Sequence, residues 1–243
     1  MSLRLFVDTP LAASATLDLP PGPSRHAQVR RVQPGDLLCL FDGQGDDWPA
    51  EVLAVGRSVV QVRVGRPRPV DRELPLAVHL AVGMPANERM DTLVEKATEL
   101  GMATLQPLEC ERAVLRLAGE RAGRKQAHWQ AVAVAACEQC GRARVPAVAS
   151  VMTLSSWLAA LPEAPTGTQR LLLSPDAGAA ALAACVPPGT TAVLALSGPE
   201  GGLSSAEEAA ALRAGFVRVG LGPRVLRADT APLALLAWLG LRA

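Results

Sequence analysis

The chain has 243 residues, 49% of them apolar, and a net charge of +1. That apolar share suffices for a full core and excludes a disordered chain, while the length allows one large α/β domain or a small domain beside a larger one. A near-neutral balance does not by itself point to nucleic acid, and five scattered cysteines form no disulfide framework.

The N-terminal MSLRLFVDTP is too short in its apolar run for a signal peptide, with no small-residue cleavage site after it. Residues 1–70 read as short strands separated by turns. LRLFVD, DLLCLFDGQG, WPAEVLAVG and SVVQVRVGR are β-compatible, with Asp42-Gly43 and Gly56 as turn signals. Closely spaced strands without a convincing helix among them predict a small barrel or sandwich. The segment Gly65 to Pro75, GRPRPVDRELP, is proline-broken and charged and reads as a linker.

After Pro75 the rhythm changes. LAVHLAVG is a buried strand, in which His79 reads as a core histidine. ERMDTLVEKATELG then sets Met90, Leu93, Val94, Ala97 and Leu100 at helical spacing, closed by Gly101. TLQPLE, the helix Gln126–Cys140, RLLLSP, AAALAAC, TTAVLALSG, SSAEEAAALRAG, FVRVGLG and TAPLALLAWL continue the alternation, which predicts a mostly parallel sheet covered by helices. Ser204 and Glu207 have capping-box spacing. The last segment is too short to cross a bilayer, so a soluble, cytoplasmic protein without a membrane partner is expected.

Charge is unevenly spread. Residues 110–145 hold seven basic side chains against three acidic, whereas 76–109 hold two against five. The basic stretch is either a polyanion contact or a solvated helix face. Cys137 and Cys140 have CxxC spacing but sit late in a helix with no second pair, so they read as small helix residues. His128 and Trp129 fit either helix packing or an RNA surface.

Two consecutive strands end in unusual loops, LSGPEGGLSS and LGPRVLRADTA. Beyond the carboxyl ends of the strands is where open α/β sheets bind ligands. A phosphate loop would need GxxxxGK[ST] and a dinucleotide loop GxGxxG; both are absent, and Glu200 would repel phosphate. The glycines allow either a close backbone approach to an uncharged or cationic ligand or a tight turn at positive φ. In the second loop, Arg227 either pairs with Asp229 or faces a substrate.

GPEGG with its following helix, then LGPRVLRADTA, resembles the signature of the SPOUT methyltransferases, and within them the RsmE-type 16S rRNA uridine-N3 methyltransferases. RHAQVRRVQPGDLLCLFDGQG is similar to that family's N-terminal RNA-binding segment, ERMDTLVEKATELG to its first SPOUT helix, and ACEQCGRARVP to its EQ-S-R segment. The matches keep their order over roughly 220 residues. Asp229 stands where Glu is usual, and Cys140 where Ser is usual.

The resemblance implies an α/β fold: a small N-terminal PUA-like, RNA-binding β-barrel domain, residues 1–70, and a C-terminal SPOUT domain, residues 76–243, with a trefoil-knotted Rossmann-like sheet. It implies S-adenosyl-L-methionine as cofactor, no metal, 16S rRNA of the small ribosomal subunit as partner, and a homodimer. The cofactor residues would be Leu196, Ser197, Gly198, Glu200, Gly201, Gly202, Leu221, Gly222, Val225, Leu226 and Arg227. The sulfonium is cationic and carries no phosphate, so a nearby carboxylate is tolerable. Arg227 is the candidate for stabilising an anionic uracil, with Glu200 or Asp229 orienting it or relaying its proton. Arg4, Arg25, His26, Arg30, Arg31, Arg112 and Arg142 are candidates for RNA contact. The same motifs would also suit a SPOUT enzyme for another RNA, such as tRNA or 23S rRNA, or a silent RNA-binding or ribosome-assembly factor.

Overall fold

The first strands are β1 (Leu3–Phe6), β2 (Thr16–Asp18), β3 (Leu37–Phe41), β4 (Asp46–Val55), β5 (Val60–Val64) and β6 (Arg68–Pro69), with helix α1 (Pro21–Val29) after β2. Alternation is clearest in β5, VQVRV, whose valines are buried. The computed structural model describes residues 3–86, 88–176 and 178–242. The strands form one sheet in the order β1-β3-β4-β5-β2, with β6 on β4. The β1–β3 pair is parallel and the other pairs are antiparallel. Leu5, Leu40, Val52 and Val62 are at most 1% exposed and centre its core.

Helix α1 is an addition to the strand-only reading of this region. Prolines at the start of PGPSRHAQV suit a first helical turn, whose N–H groups have no partner in the helix. Buried Ser24 ties the helix to the sheet, donating to the Leu19 carbonyl at 2.7 Å and accepting from Val60 N–H at 3.1 Å. Strand β6 likewise gives the proline-broken segment a short pairing, with Asp46 and Asp47.

The second set of elements is β7 (Ala77–Gly83), α2 (Glu88–Glu99), β8 (Thr104–Glu109), α3 (Gly119–Cys140), β9 (Ala147–Val148), β10 (Met152–Thr153), α4 (Leu154–Ala160), β11 (Thr168–Leu173), β12 (Ala180–Ala181), α5 (Leu182–Cys185), β13 (Ala192–Ser197), α6 (Ser205–Arg213), β14 (Val217–Gly220) and α7 (Thr230–Leu241). Its sheet runs β10-β8-β7-β13-β11-β14-β12, with β9 on β8, and every pair is parallel.

A parallel sheet buries both faces, and the strands divide accordingly. Val78, Leu80, Val82, Val193, Ala195, Leu171 and Leu173 join a core with Met90 and Leu93 of α2, Trp129 of α3 and Leu235, Leu236 and Leu239 of α7. The alternate residues Ala81, Leu196 and Leu172 join a second core with Trp157 of α4 and Ala211 of α6. Trp129 is fully buried and its Nε1 donates to Asp91 at 3.0 Å, while His128 contacts the same carboxylate at 2.9 Å. His79 is half-buried in β7 beside Thr104, and burial lowers its pKa from the usual histidine value. Gly101 and Gly215 take positive φ after α2 and α6, and Ser204 and Glu207 form a complete capping box.

Two units emerge. One holds the chain up to Glu73 with Val134–Val145; the other holds Leu74–Ala133 and the chain from Pro146 on. Helix α3 therefore contributes to both, its last residues clustering with the first sheet. No helix among the described residues is long and apolar enough to cross a membrane.

Gly83 ends β7 where β13 turns away. A Cβ there would lie 2.5 Å from Pro199 Cδ, 2.7 Å from Pro199 N and 2.9 Å from Cys110 Sγ. Gly83→Ala is expected to destabilise the protein by about 1–3 kcal/mol through overpacking, read by urea unfolding. An unchanged midpoint would show that this edge relaxes freely.

Candidate active site

Strands β13, β11 and β14 are neighbours, so their carboxyl ends open on one edge. A cavity of about 430 Å³ lies there, within the range of about 300–1,000 Å³ typical of small-molecule sites. Ser197, Gly198, Glu200 and Gly202 line it from the β13 loop, and Leu221, Gly222, Val225, Leu226 and Arg227 from the β14 loop. Leu196 is buried in the core beneath, and Gly201 lies outside the lining, packed on Arg112.

The β13 loop owes its glycines to packing and turn geometry. Gly202 N–H donates to the Pro199 carbonyl at 2.8 Å, and Gly202 has φ +67°. A Cβ on Gly198 would stand 3.0 Å from Leu203 N, and one on Gly201 would stand 2.9 Å from Arg112 Cβ. Only glycine clears these contacts without displacing backbone.

Charged side chains hold this loop from outside. Arg112 donates to the carbonyls of Gly201 and Leu203 at 3.3 and 3.2 Å. Glu207 accepts from Glu111 N–H and from Ser204 N–H, both at 2.8 Å. Glu200 Oε1 accepts from Ala86 N–H at 3.0 Å and from Arg89 at 3.3 Å. Glu208, also in the lining, is paired with Arg218 at 2.8 Å.

The opposite loop is left with free charge. Arg224 and Arg227 line the cavity, and neither makes an ion pair among the described residues. Arg227 and Asp229 are not paired with each other; the Arg227 carbonyl instead accepts from Thr230 and Ala231 N–H at 3.0 Å. Asp229 is absent from the lining, and its Oδ1 is buried with no hydrogen-bond partner among the described residues. An orphaned carboxylate oxygen beside a ligand cavity is a costly feature, and it marks a place where a donor belongs.

Four lining positions come from β11 and its turn, Leu172, Leu173, Ser174 and Pro175, and one from α2, Arg89. None carried a signal in the sequence. The placement of β11 between β13 and β14 brings in the first four, and the packing of α2 brings in Arg89. Leu172, Leu173, Leu221 and Leu226 give the lining an apolar part, and Ser174 and Ser197 add hydroxyls to it. Such a lining fits an adenosine-bearing, cationic cofactor.

In the first unit Arg25, Arg30 and Arg31 are exposed. His26 lies 3.4 Å from Glu138. Arg4 is bound inward, to Asp47 at 2.6 Å and the Arg142 carbonyl at 3.2 Å, over the Phe41 ring. Arg142 is 3% exposed and pairs with Glu73. Cys137 is buried in α3, which pushes its thiol up to about 12, and no group able to hold a metal exists among the described residues.

The RNA methyltransferase domain family matches residues 72–240, and the RNA methyltransferase PUA domain family matches residues 24–65. A ribosomal RNA small subunit methyltransferase E of Synechocystis is 33% identical, covering 98% of this chain and 77% of its own. That of Mycobacterium bovis is 31% identical, covering 99% and 92%. Among solved structures, a putative methyltransferase of Legionella pneumophila in complex with S-adenosylmethionine has TM-score 0.91 at 31% identity, covering 100% and 98%. A ribosomal RNA small subunit methyltransferase E of Neisseria gonorrhoeae bound to S-adenosylmethionine has TM-score 0.90 at 33% identity, covering 98% and 97%.

Arg112→Ala removes both bonds to the loop carbonyls. Amide hydrogen exchange across residues 198–204 is expected to quicken about tenfold, the effect of 1.4 kcal/mol on local opening. Unchanged exchange would mean that Glu200 and Glu207 hold the loop by themselves.

Proposed function

This chain belongs to the RNA methyltransferase family, as the match over residues 72–240 shows, and from that premise we propose that it methylates N3 of a specific uridine in 16S rRNA. It is an S-adenosylmethionine-dependent RNA methyltransferase of the small-subunit methyltransferase E type. The observation that carries the reading is the cavity between the β13 and β14 loops, lined by Glu200 and built from loops with neither GxxxxGK[ST] nor GxGxxG. Bound there, the cofactor would supply a methyl group on a cationic sulfur, ready for in-line displacement without a metal.

The protein's work is then positioning and electrostatics. Ser197, Gly198, Glu200 and Gly202 would hold the cofactor together with Leu221, Gly222, Val225 and Leu226, which leaves the Arg227 side chain for the substrate. Uracil N3 must lose its proton before it attacks. Arg227, exposed and unpaired at the cavity, is placed to stabilise the resulting anion. Asp229, with its orphaned oxygen, is the better candidate to orient the base or relay the proton. Glu200 already has partners in Ala86 and Arg89, which favours an orienting role for it.

The first domain, residues 1–70, would hold the RNA, with Arg25, Arg30 and Arg31 as phosphate contacts. Arg4 and Arg142 serve it through their internal pairs, and Arg112 by holding the cofactor loop. We assign residues 76–243 to catalysis. The small ribosomal subunit is the partner, the cytoplasm the place of action and a homodimer the working form.

Mass spectrometry of 16S rRNA from a strain lacking this protein is expected to show one N3-methyluridine missing, restored by complementation. An intact modification with a methyl missing from another RNA would redirect the assignment. Arg227→Ala is expected to lower kcat by about 100-fold, the usual scale for removing an electrostatic stabiliser. Its calorimetric affinity for S-adenosylmethionine should stay near that of wild type. Near-normal turnover would remove Arg227 from the mechanism.

A further inference from the structure

The cavity holds two carboxylates, and they are held differently. Glu208 is gripped by Arg218 through two nitrogens, at 2.8 and 3.2 Å. Glu200 has a looser hold: its Oε1 carries both the Ala86 N–H and the Arg89 bonds, the latter at 3.3 Å. Its Oε2 has no partner among the described residues. Charge-assisted N–H···O bonds are usually 2.7–2.9 Å long. Arg89 also lines the cavity, and the Arg89 and Glu200 side chains are 42% and 27% exposed. The other cations in the lining, Arg224 and Arg227, sit on the β14 loop without an ion pair. Each carboxylate keeps one oxygen without a partner among the described residues, Oε2 of Glu200 and Oε1 of Glu208. Glu200 has the longer ion pair, and its counter-ion, Arg89, lines the cavity with it, whereas Arg218 does not.

We propose that Glu200 and Arg89 together read the charge of the cofactor's sulfur, so that the cavity prefers the methyl-bearing sulfonium to the neutral thioether left after transfer. The inference rests on the methyl-transfer reading above. In that reaction the methyl group leaves sulfur without electrons. The S–C bonding pair stays on sulfur as a lone pair, and the N3 lone pair forms the new C–N bond after the N3 proton has passed to solvent. The two cofactor forms thus differ by one methyl group and one positive charge.

A neutral lining separates two such ligands poorly, since a methyl group alone shifts binding only modestly. A carboxylate a few ångströms away adds a Coulomb attraction that only the cationic form feels. Arg89 acts in the opposite sense. It repels a sulfonium and competes for Glu200, and it keeps the carboxylate paired when a neutral thioether is present. Glu200 therefore creates the preference for the cationic form, and Arg89 tempers it by giving the carboxylate a partner when the thioether is bound. Both residues are specificity-determining for the cofactor form.

Calorimetric titration with S-adenosylmethionine, S-adenosylhomocysteine and sinefungin, which carries an ammonium in place of the sulfonium, tests this. Wild type should bind the two cationic probes more tightly than the neutral one. In Glu200→Gln the amide oxygen still accepts from Ala86 N–H, so the loop stays anchored. The preference for cationic probes should fall by about tenfold, the change that 1.4 kcal/mol makes. Arg89→Gln should widen the preference, and Arg89→Lys should leave it near the wild-type ratio. If Glu200→Gln weakened all three probes equally, or Arg89→Gln narrowed the preference, the proposal would be overturned while the enzyme reading stood. Should Glu200→Gln fail to fold, as thermal unfolding would reveal, the Arg89 variants still give an outcome of defined sign. Wild-type protein that bound none of the three would overturn both.

Discussion

Everything at the cavity depends on how the loop after β13 is held. Residues 198–204 leave a central parallel strand and turn sharply, and they bury part of their backbone against Arg112 and Gly83. A backbone so placed needs partners for its carbonyls and N–H groups. Arg112 serves two carbonyls, Glu207 serves Ser204 N–H, and the loop's own Glu200 reaches out to Ala86. The loop is thus pre-formed, so little ordering need accompany ligand binding.

The same hydrogen bonds arrange the charge. Carboxylates of the lining are paired with arginines, Glu200 with Arg89 and Glu208 with Arg218, whereas Arg224 and Arg227 on the facing loop are unpaired. The result is a cavity with a partly neutralised wall and a cationic wall. A cationic cofactor is suited to the first and an anionic nucleic acid to the second. In the other unit, arginines do different work: Arg4 and Arg142 are consumed in internal pairs, while Arg25, Arg30 and Arg31 stay exposed.

Glycines in LSGPEGGLSS show how one residue type answers several needs. Gly202 supplies positive φ in a turn, whereas Gly198 and Gly201 permit close packing within the protein. A glycine-rich loop after a strand invites comparison with phosphate cradles, but here the small residues face the fold as much as the cavity. Gly83, on the neighbouring strand, belongs to the same packing problem although it lies far away in the chain.

Local chemistry made much of this legible in the sequence. Short apolar runs located β7, β8, β11 and β13, the Ser204–Glu207 spacing located the start of α6, and the two loop motifs identified most of the cavity's lining. These features depend on residues within a few positions of one another. What the tertiary structure alone decided depends on strand order and on partners distant in the chain. Seating β11 between β13 and β14 brings Ser174 to the cavity, packing α2 brings Arg89 to Glu200, and clustering 134–145 with the first sheet buries Arg142. Whether a charged side chain faces RNA, a cofactor or another side chain is set by what lies opposite it in space, and no spacing along the chain contains that.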